Sequence, residues 1–209
     1  MENKKYEFTG VAKETWALTL HQIRAIRDFG NVKAGDIGGW IEKEENLSHD
    51  GDCWVYENAE VFGDAEVYEN ARVYGDAEVY GDAEVFGDAE VYENARVFGD
   101  AEVYGDAEVF GDAEVYGDAE VCENAKVYGD AEVCENAKVT TTVNTFGNAF
   151  IYKITVTDKH IKIGCQQHLK NEWKDFEDRK IIEMDGKKAL EFWRMFKPVL
   201  ESLGLFEEV

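Results

Sequence analysis

At 209 residues with 45 acidic against 22 basic side chains, a net charge of −23, the chain can hold one elongated or two globular domains and is too anionic to bind nucleic acid directly. No apolar run approaches the length that crosses a bilayer, and MENKKYEFTG at the amino terminus lacks the apolar stretch of a secretory signal, so the expectation is a cytoplasmic protein with no membrane attachment. The four cysteines, Cys53, Cys122, Cys134 and Cys165, then read as reduced thiols and not as a disulfide framework.

In chain order, residues 1–48 are expected to form an amino-terminal β cap with the first coil. Thr15 to Phe29 reads as strand material, with Leu18, Leu20, Ile23 and Ile26 available for burial. From Val55 to Lys138 a six-residue unit repeats fourteen times without insertion, as VYGDAE, VFGDAE, VYENAR or VCENAK. Such periodicity is the mark of a solenoid, here expected over residues 49–150. Within A-E-V-Y, alanine and valine alternate with glutamate and an aromatic, so Ala and Val face in while Glu and Tyr or Phe face out. Gly-Asp or Glu-Asn follows, where Gly and Asn suit a tight corner. Three such sides close one coil of eighteen residues, which makes the fold class mainly β, a parallel β-helix.

After Lys138 the repeat decays in register: Val139 and Val143 keep the inward slots, and Phe146-Gly147-Asn148-Ala149 restores the pattern before the coil ends. Residues 151–209 are expected to form a carboxy-terminal cap. Ile151 to Val156 and His160 to Gly164 read as two short strands around a turn at Asp158-Lys159. From Asn171 the spacing becomes helical, with Phe192, Trp193, Phe196, Val199, Leu200 and Leu203 on one stripe and a kink or a second helix start expected near Lys197, before Pro198. This segment serves as a lid on the last coil, as a homo-oligomerisation surface, or as both.

The hexad resembles the repeat of left-handed parallel β-helices, and the left hand is what that resemblance implies, since general crossover rules favour the right hand. Upstream, RDFGNVKAGDIGGWIEKEENLSHDGDCWVYENA, Arg27 to Ala59, carries VKAG, GGW and GDCW in order. That stretch resembles the amino-terminal cap and first coil of the YdcK-type β-solenoid family, commonly labelled hexapeptide transferases. The resemblance covers roughly Leu20 to Ala149 and implies the fold more than any activity.

Val55 to Lys138 holds twenty-four acidic and four basic residues, so the solenoid carries −20 of the chain's −23. With coils stacked at about 4.8 Å, fourteen hexads span about 22 Å, or about one net charge per 1.1 Å; duplex DNA carries about one per 1.7 Å. Eighteen-residue spacing turns the repeat into columns. The most uniformly acidic side stacks Glu66, Glu84, Glu102, Glu120 and Lys138, beside a corner column of Asp64, Asp82, Asp100, Asp118 and Asn136. Glu60, Glu78, Arg96, Glu114 and Glu132 form a second side; Arg72, Glu90, Glu108 and Lys126 form the third. Outward aromatics run alongside, among them Tyr56, Tyr74, Tyr92, Phe110 and Tyr128. Like charges on adjacent strands repel, so the carboxylates are expected to titrate above the ordinary range, with Arg72, Arg96, Lys126 and Lys138 as partial relief.

Three function classes remain. Hexapeptide-type acyltransferases and zinc enzymes use histidine as base or ligand, yet no histidine lies between His49 and His160 and no loop interrupts the repeat. No catalytic residue, cofactor or metal is therefore expected, and Cys165 with His168, a C-x2-H pair, is too few ligands for zinc. The six-residue unit does not match the nine-residue calcium β-roll repeat, so specific cation sites are not expected either. The third class is a binding scaffold. The acidic columns Glu66, Glu84, Glu102, Glu120 and Asp64, Asp82, Asp100, Asp118, with the aromatic column Tyr56, Tyr74, Tyr92, Tyr128, suit a basic protein partner, including a nucleic-acid-binding one. Near-identical repeats arise readily by duplication, which suits a DNA-mimicking inhibitor from a phage or mobile element. The alternatives are an interaction solenoid without mimicry and an acyltransferase.

Overall fold

A computed structural model describes residues 4–15, 18–146 and 151–206. It divides into two compact units, Met1–Thr142 and Val143–Val209.

In the first unit, strands Tyr6–Glu14, Thr19–Ala25 and Ile37–Ile41 form an antiparallel cap. The third strand then runs parallel to the first coil strand of its side, pairing Trp40 with Glu60 and Ile41 with Val61. From there the chain is a parallel β-solenoid of three sheets, each strand pairing with the one eighteen residues on: Glu66↔Glu84, Glu84↔Glu102, Arg72↔Glu90, Arg96↔Glu114. The ladder bonds repeat as faithfully as the sequence, with Glu66, Glu84 and Glu102 amides each donating at 2.9 Å to Ala83, Ala101 and Ala119.

Burial follows the hexad. Every repeat valine and alanine, from Val55 to Val139 and Ala59 to Ala137, is fully enclosed. Val143 is fully buried, while Gly147 to Ala149 lie outside the described residues. Asn144–Phe146 pairs antiparallel with Ile154–Val156.

The corners work differently from the expectation that Gly and Asn supply the turn. The third residue of the hexad takes a left-handed φ whichever type it is: 74° at Gly87, and 55° and 58° at Glu57 and Glu69. Asn is not the strained position. A side chain at Gly87 would also place its Cβ 2.8 Å from the Gly105 nitrogen in the next coil. Two of the five glutamates in this geometry use their carboxylates there: Glu57 and Glu69 accept from the Gly75 and Gly87 amides at 3.0 and 2.9 Å. A charge-assisted bond to an otherwise unpaired amide offsets part of the left-handed cost.

Leu20 and Ile23 are fully buried in the cap, but Ile26 is 45% exposed. Ile26 falls past the strand end at Ala25. Trp54 closes this end, standing edge-on to Phe29 at 5.4 Å and Tyr6 at 6.1 Å. Lys5 is wholly buried beneath it, its ammonium donating to the Cys53 carbonyl at 2.9 Å and lying 3.1 Å from the Cys53 thiol.

The second unit is a four-stranded antiparallel sheet, Asn144–Phe146, Ile154–Val156, His160–Ile163 and Gln166–Leu169, with helices Lys170–Asp175 and Asp178–Ser202. Gln166–Leu169 is polar without alternation and was not expected as a strand; its bonds to His160–Ile163 form it. The helical run breaks at Asp185 and Gly186 (φ 72°, ψ −162°) and passes Pro198 without a break, the reverse of the expected kink. An Asp-Gly pair was the overlooked signal. Phe192, Trp193, Phe196 and Leu200 are buried as expected, whereas Val199 and Leu203 are 40% and 55% exposed. No described helix is long and apolar enough to cross a membrane.

Candidate functional site

The strand register brings each predicted column together. Glu66, Glu84, Glu102 and Glu120 occupy successive strands of one sheet, with Lys138 on the last. Asp64, Asp82, Asp100 and Asp118 stand exposed at the adjoining corner. Asp64 pairs with Lys43 at 2.5 Å, and among the described residues no cation pairs with the other three.

Each repeat cation binds its column neighbour. Arg72 pairs with Glu90 and Arg96 with Glu114, while Lys126 reaches Glu108 at 2.7 Å and Lys138 reaches Glu120 at 2.5 Å. Lys13 of the cap takes Glu60 at 2.5 Å. What remains is informative. Glu66, Glu84 and Glu102 follow one another on three strands with no cationic partner among the described residues.

The aromatic ladders are as regular. Tyr74 stacks on Tyr92 at 4.8 Å and Tyr92 on Phe110 at 4.9 Å, with ring planes 1° and 2° apart; Tyr128 follows at 5.6 Å. Tyr56 instead meets Tyr74 edge-on, at 6.4 Å and 87°, because Trp54 packs against its other side. The ladders also bond to the carboxylates, a link that residue spacing alone did not reveal. Tyrosine hydroxyls donate to the glutamate sixteen residues on: Tyr68 to Glu84 at 2.6 Å, Tyr74 to Glu90 at 2.7 Å, and Tyr92 to Glu108 and Tyr104 to Glu120 at 3.1 Å. Cys122 and Cys134, both buried, terminate two ladders in the next aromatic slot.

Carboxylate titration departs from the uniform rise expected. Glu78 is raised, chiefly by burial and then by Glu60. Glu108 and Glu120 are lowered, because Lys126 and Lys138 donate to them and outweigh desolvation. Burial and the Glu108 acceptor push the Tyr92 phenol up to about 12. Corner asparagines add further relief: Asn58, Asn70 and Asn94 donate to Asp76, Asp88 and Asp112 at 3.0 to 3.1 Å. The signal was present in the alternation of ENA and GDA at eighteen-residue spacing. The corner from Asp64 to Asp118 has no asparagine before Asn136, so it and the neighbouring Glu66–Glu102 run form the least compensated part of the surface.

His49 lies 4.3 Å from Tyr6 with the ring planes tilted by 33° and Glu44 3.9 Å away, and His168 lies edge-on to Trp173 and Phe176. Among the described residues no group of three His, Cys, Asp or Glu could hold a metal ion.

No family model matches the chain. Over 58 residues, 27% of this chain, the sequence is 45% identical to a protein of Escherichia coli (strain K12) named "Uncharacterized acetyltransferase YdcK". The chain spans only 17% of that relative's length. The chain is a parallel β-solenoid with coils of eighteen residues, and over that shared segment it is similar to YdcK.

Proposed function

We propose that the solenoid is a non-catalytic binding scaffold whose acidic and aromatic columns dock on a basic protein surface, of the kind that otherwise holds nucleic acid. The observation that supports this best is the run Glu66, Glu84 and Glu102, on successive strands without a cationic partner among the described residues, beside exposed Asp82, Asp100 and Asp118. A parallel sheet holds these charges rigidly, so docking orders few side chains. Half-buried tyrosines beside them offer contact area to the partner. A DNA-mimicking inhibitor carried by a phage or mobile element is the narrower form of this reading.

The test is affinity capture from the host with the parent and with a Glu66→Gln, Glu84→Gln, Glu102→Gln variant, eluted by rising salt and by duplex DNA. The reading expects a basic protein that salt and DNA both displace from the parent and that the variant fails to retain. Equal retention by both would assign binding to another surface.

A second reading rests on the relative's printed name, which favours acetyl transfer. Release of free thiol from acetyl-coenzyme A that depends on an added amine or hydroxyl acceptor would establish it; no release with any acceptor would remove it.

A further inference from the structure

In the second unit a small cleft of about 40 Å³ opens between the sheet and the helices. Its walls combine four aromatic residues, Tyr152, Trp173, Phe192 and Trp193, with aliphatic ones, and its lining contains one carboxylate, Asp185, and no Lys, Arg or His. The rings lie in different planes. Trp173 and Trp193 are 5.1 Å apart and inclined at 40°, and Tyr152 stands at 68° to Phe192 at 5.1 Å. Trp173 is held in place by donating its indole N–H to the Ile161 carbonyl at 2.6 Å.

The helix break puts the carboxylate at this cleft. Asp185 leaves helical geometry at φ −153°, and Gly186 supplies the left-handed φ that the break requires. A Cβ at Gly186 would meet nothing within 4 Å, so the backbone conformation and not space calls for glycine there. Asp185 accepts the Tyr152 hydroxyl at 2.5 Å, and that bond pushes the phenol up to about 12.

We infer that this cleft binds an alkylated ammonium group. Aromatic faces attract a cation through their quadrupole, most effectively one that sheds its water easily. An alkylated ammonium spreads its charge over methyl groups that also fill apolar space, and Asp185 completes the charge balance. An anion would meet a carboxylate and no cation in the lining, and an uncharged guest would gain nothing from Asp185 at the rim. The same head group occurs free, as in choline, or on a methylated lysine of another protein. This site is separate from the acidic columns, so either reading can fail alone.

The experiment is calorimetric titration of the full chain with choline, with its uncharged carbon isostere 3,3-dimethylbutan-1-ol, and with a trimethyllysine peptide against its unmodified form. Choline should saturate, and the isostere should bind about tenfold more weakly. Asp185→Asn should weaken choline several-fold while leaving the isostere unchanged, with the melting temperature as control for folding. Ala189→Met, filling the cleft from its helical wall, should abolish both. Preference for the trimethyllysine peptide over choline assigns a protein-borne ligand, and the reverse assigns a free one. Equal binding of choline and isostere, or no saturation by any ammonium compound, overturns the inference.

Discussion

Arg96→Glu converts one column into five consecutive glutamates, Glu60, Glu78, residue 96, Glu114 and Glu132, on paired strands. The change removes the Arg96–Glu114 pair and the attraction to Glu78, and sets two like-charged neighbours in their place. Cross-strand charge pairs are worth about 0.2–1 kcal/mol each. The Arg96 side chain is 47% exposed, so solvent screening places each change toward the low end. Four such changes sum to about 1–2 kcal/mol of destabilisation, or a Tm lower by about 3–6 °C for a unit of this size. Thermal melts in low salt measure it, with Arg96→Gln expected to show about half the loss. Raising salt to about 0.5 M should shrink both differences, because exposed charges are screened within a few ångströms. A Glu variant as stable as the parent in low salt would show that the columns do not feel one another, and the electrostatic reading of the repeat would be wrong.

Val97→Asp, at a fully enclosed position, should cost several kcal/mol by burying a charge without a partner, and loss of the folded circular dichroism signal checks it. Gly87→Ala should cost about 1–2 kcal/mol in urea melts, since its φ is 74° and the added Cβ presses on the Gly105 nitrogen. Glu78→Gln should raise the Tm at pH 7, because the fold disfavours the charged form of Glu78; the advantage should vanish as pH falls through its raised value. Glu108 and Glu120 run the opposite way: their depressed values stabilise the fold above the ordinary glutamate range, and that contribution is lost as pH falls through them. Lys126→Ala with Lys138→Ala should therefore flatten the acid limb of a Tm-against-pH curve, and an unchanged limb would contradict the pairing.

The solenoid was legible because one local rule repeats. A valine and an alanine at fixed positions in six residues determine burial, and eighteen-residue closure then sets every column, including Glu66–Glu84–Glu102. What escaped notice depends on geometry between neighbouring coils. Glu57 and Glu69, in the left-handed corner, bond a glycine amide one coil on through their carboxylates. The tyrosine bonds to Glu84 and Glu90 depend on where a ring tip falls relative to the next strand. The second unit has no repeat to average over single errors. Gln166–Leu169 became a strand through its partner alone, and Asp185-Gly186 outweighed Pro198 as the helix breaker.

The most direct test of the scaffold reading is the association rate of the captured basic partner with the parent and with the Glu66→Gln, Glu84→Gln, Glu102→Gln variant, across a salt series. The account predicts a parent rate that falls steeply with salt and a variant about tenfold slower in low salt, with the two converging as salt rises. Identical rates at low salt, with both chains folded, would contradict it.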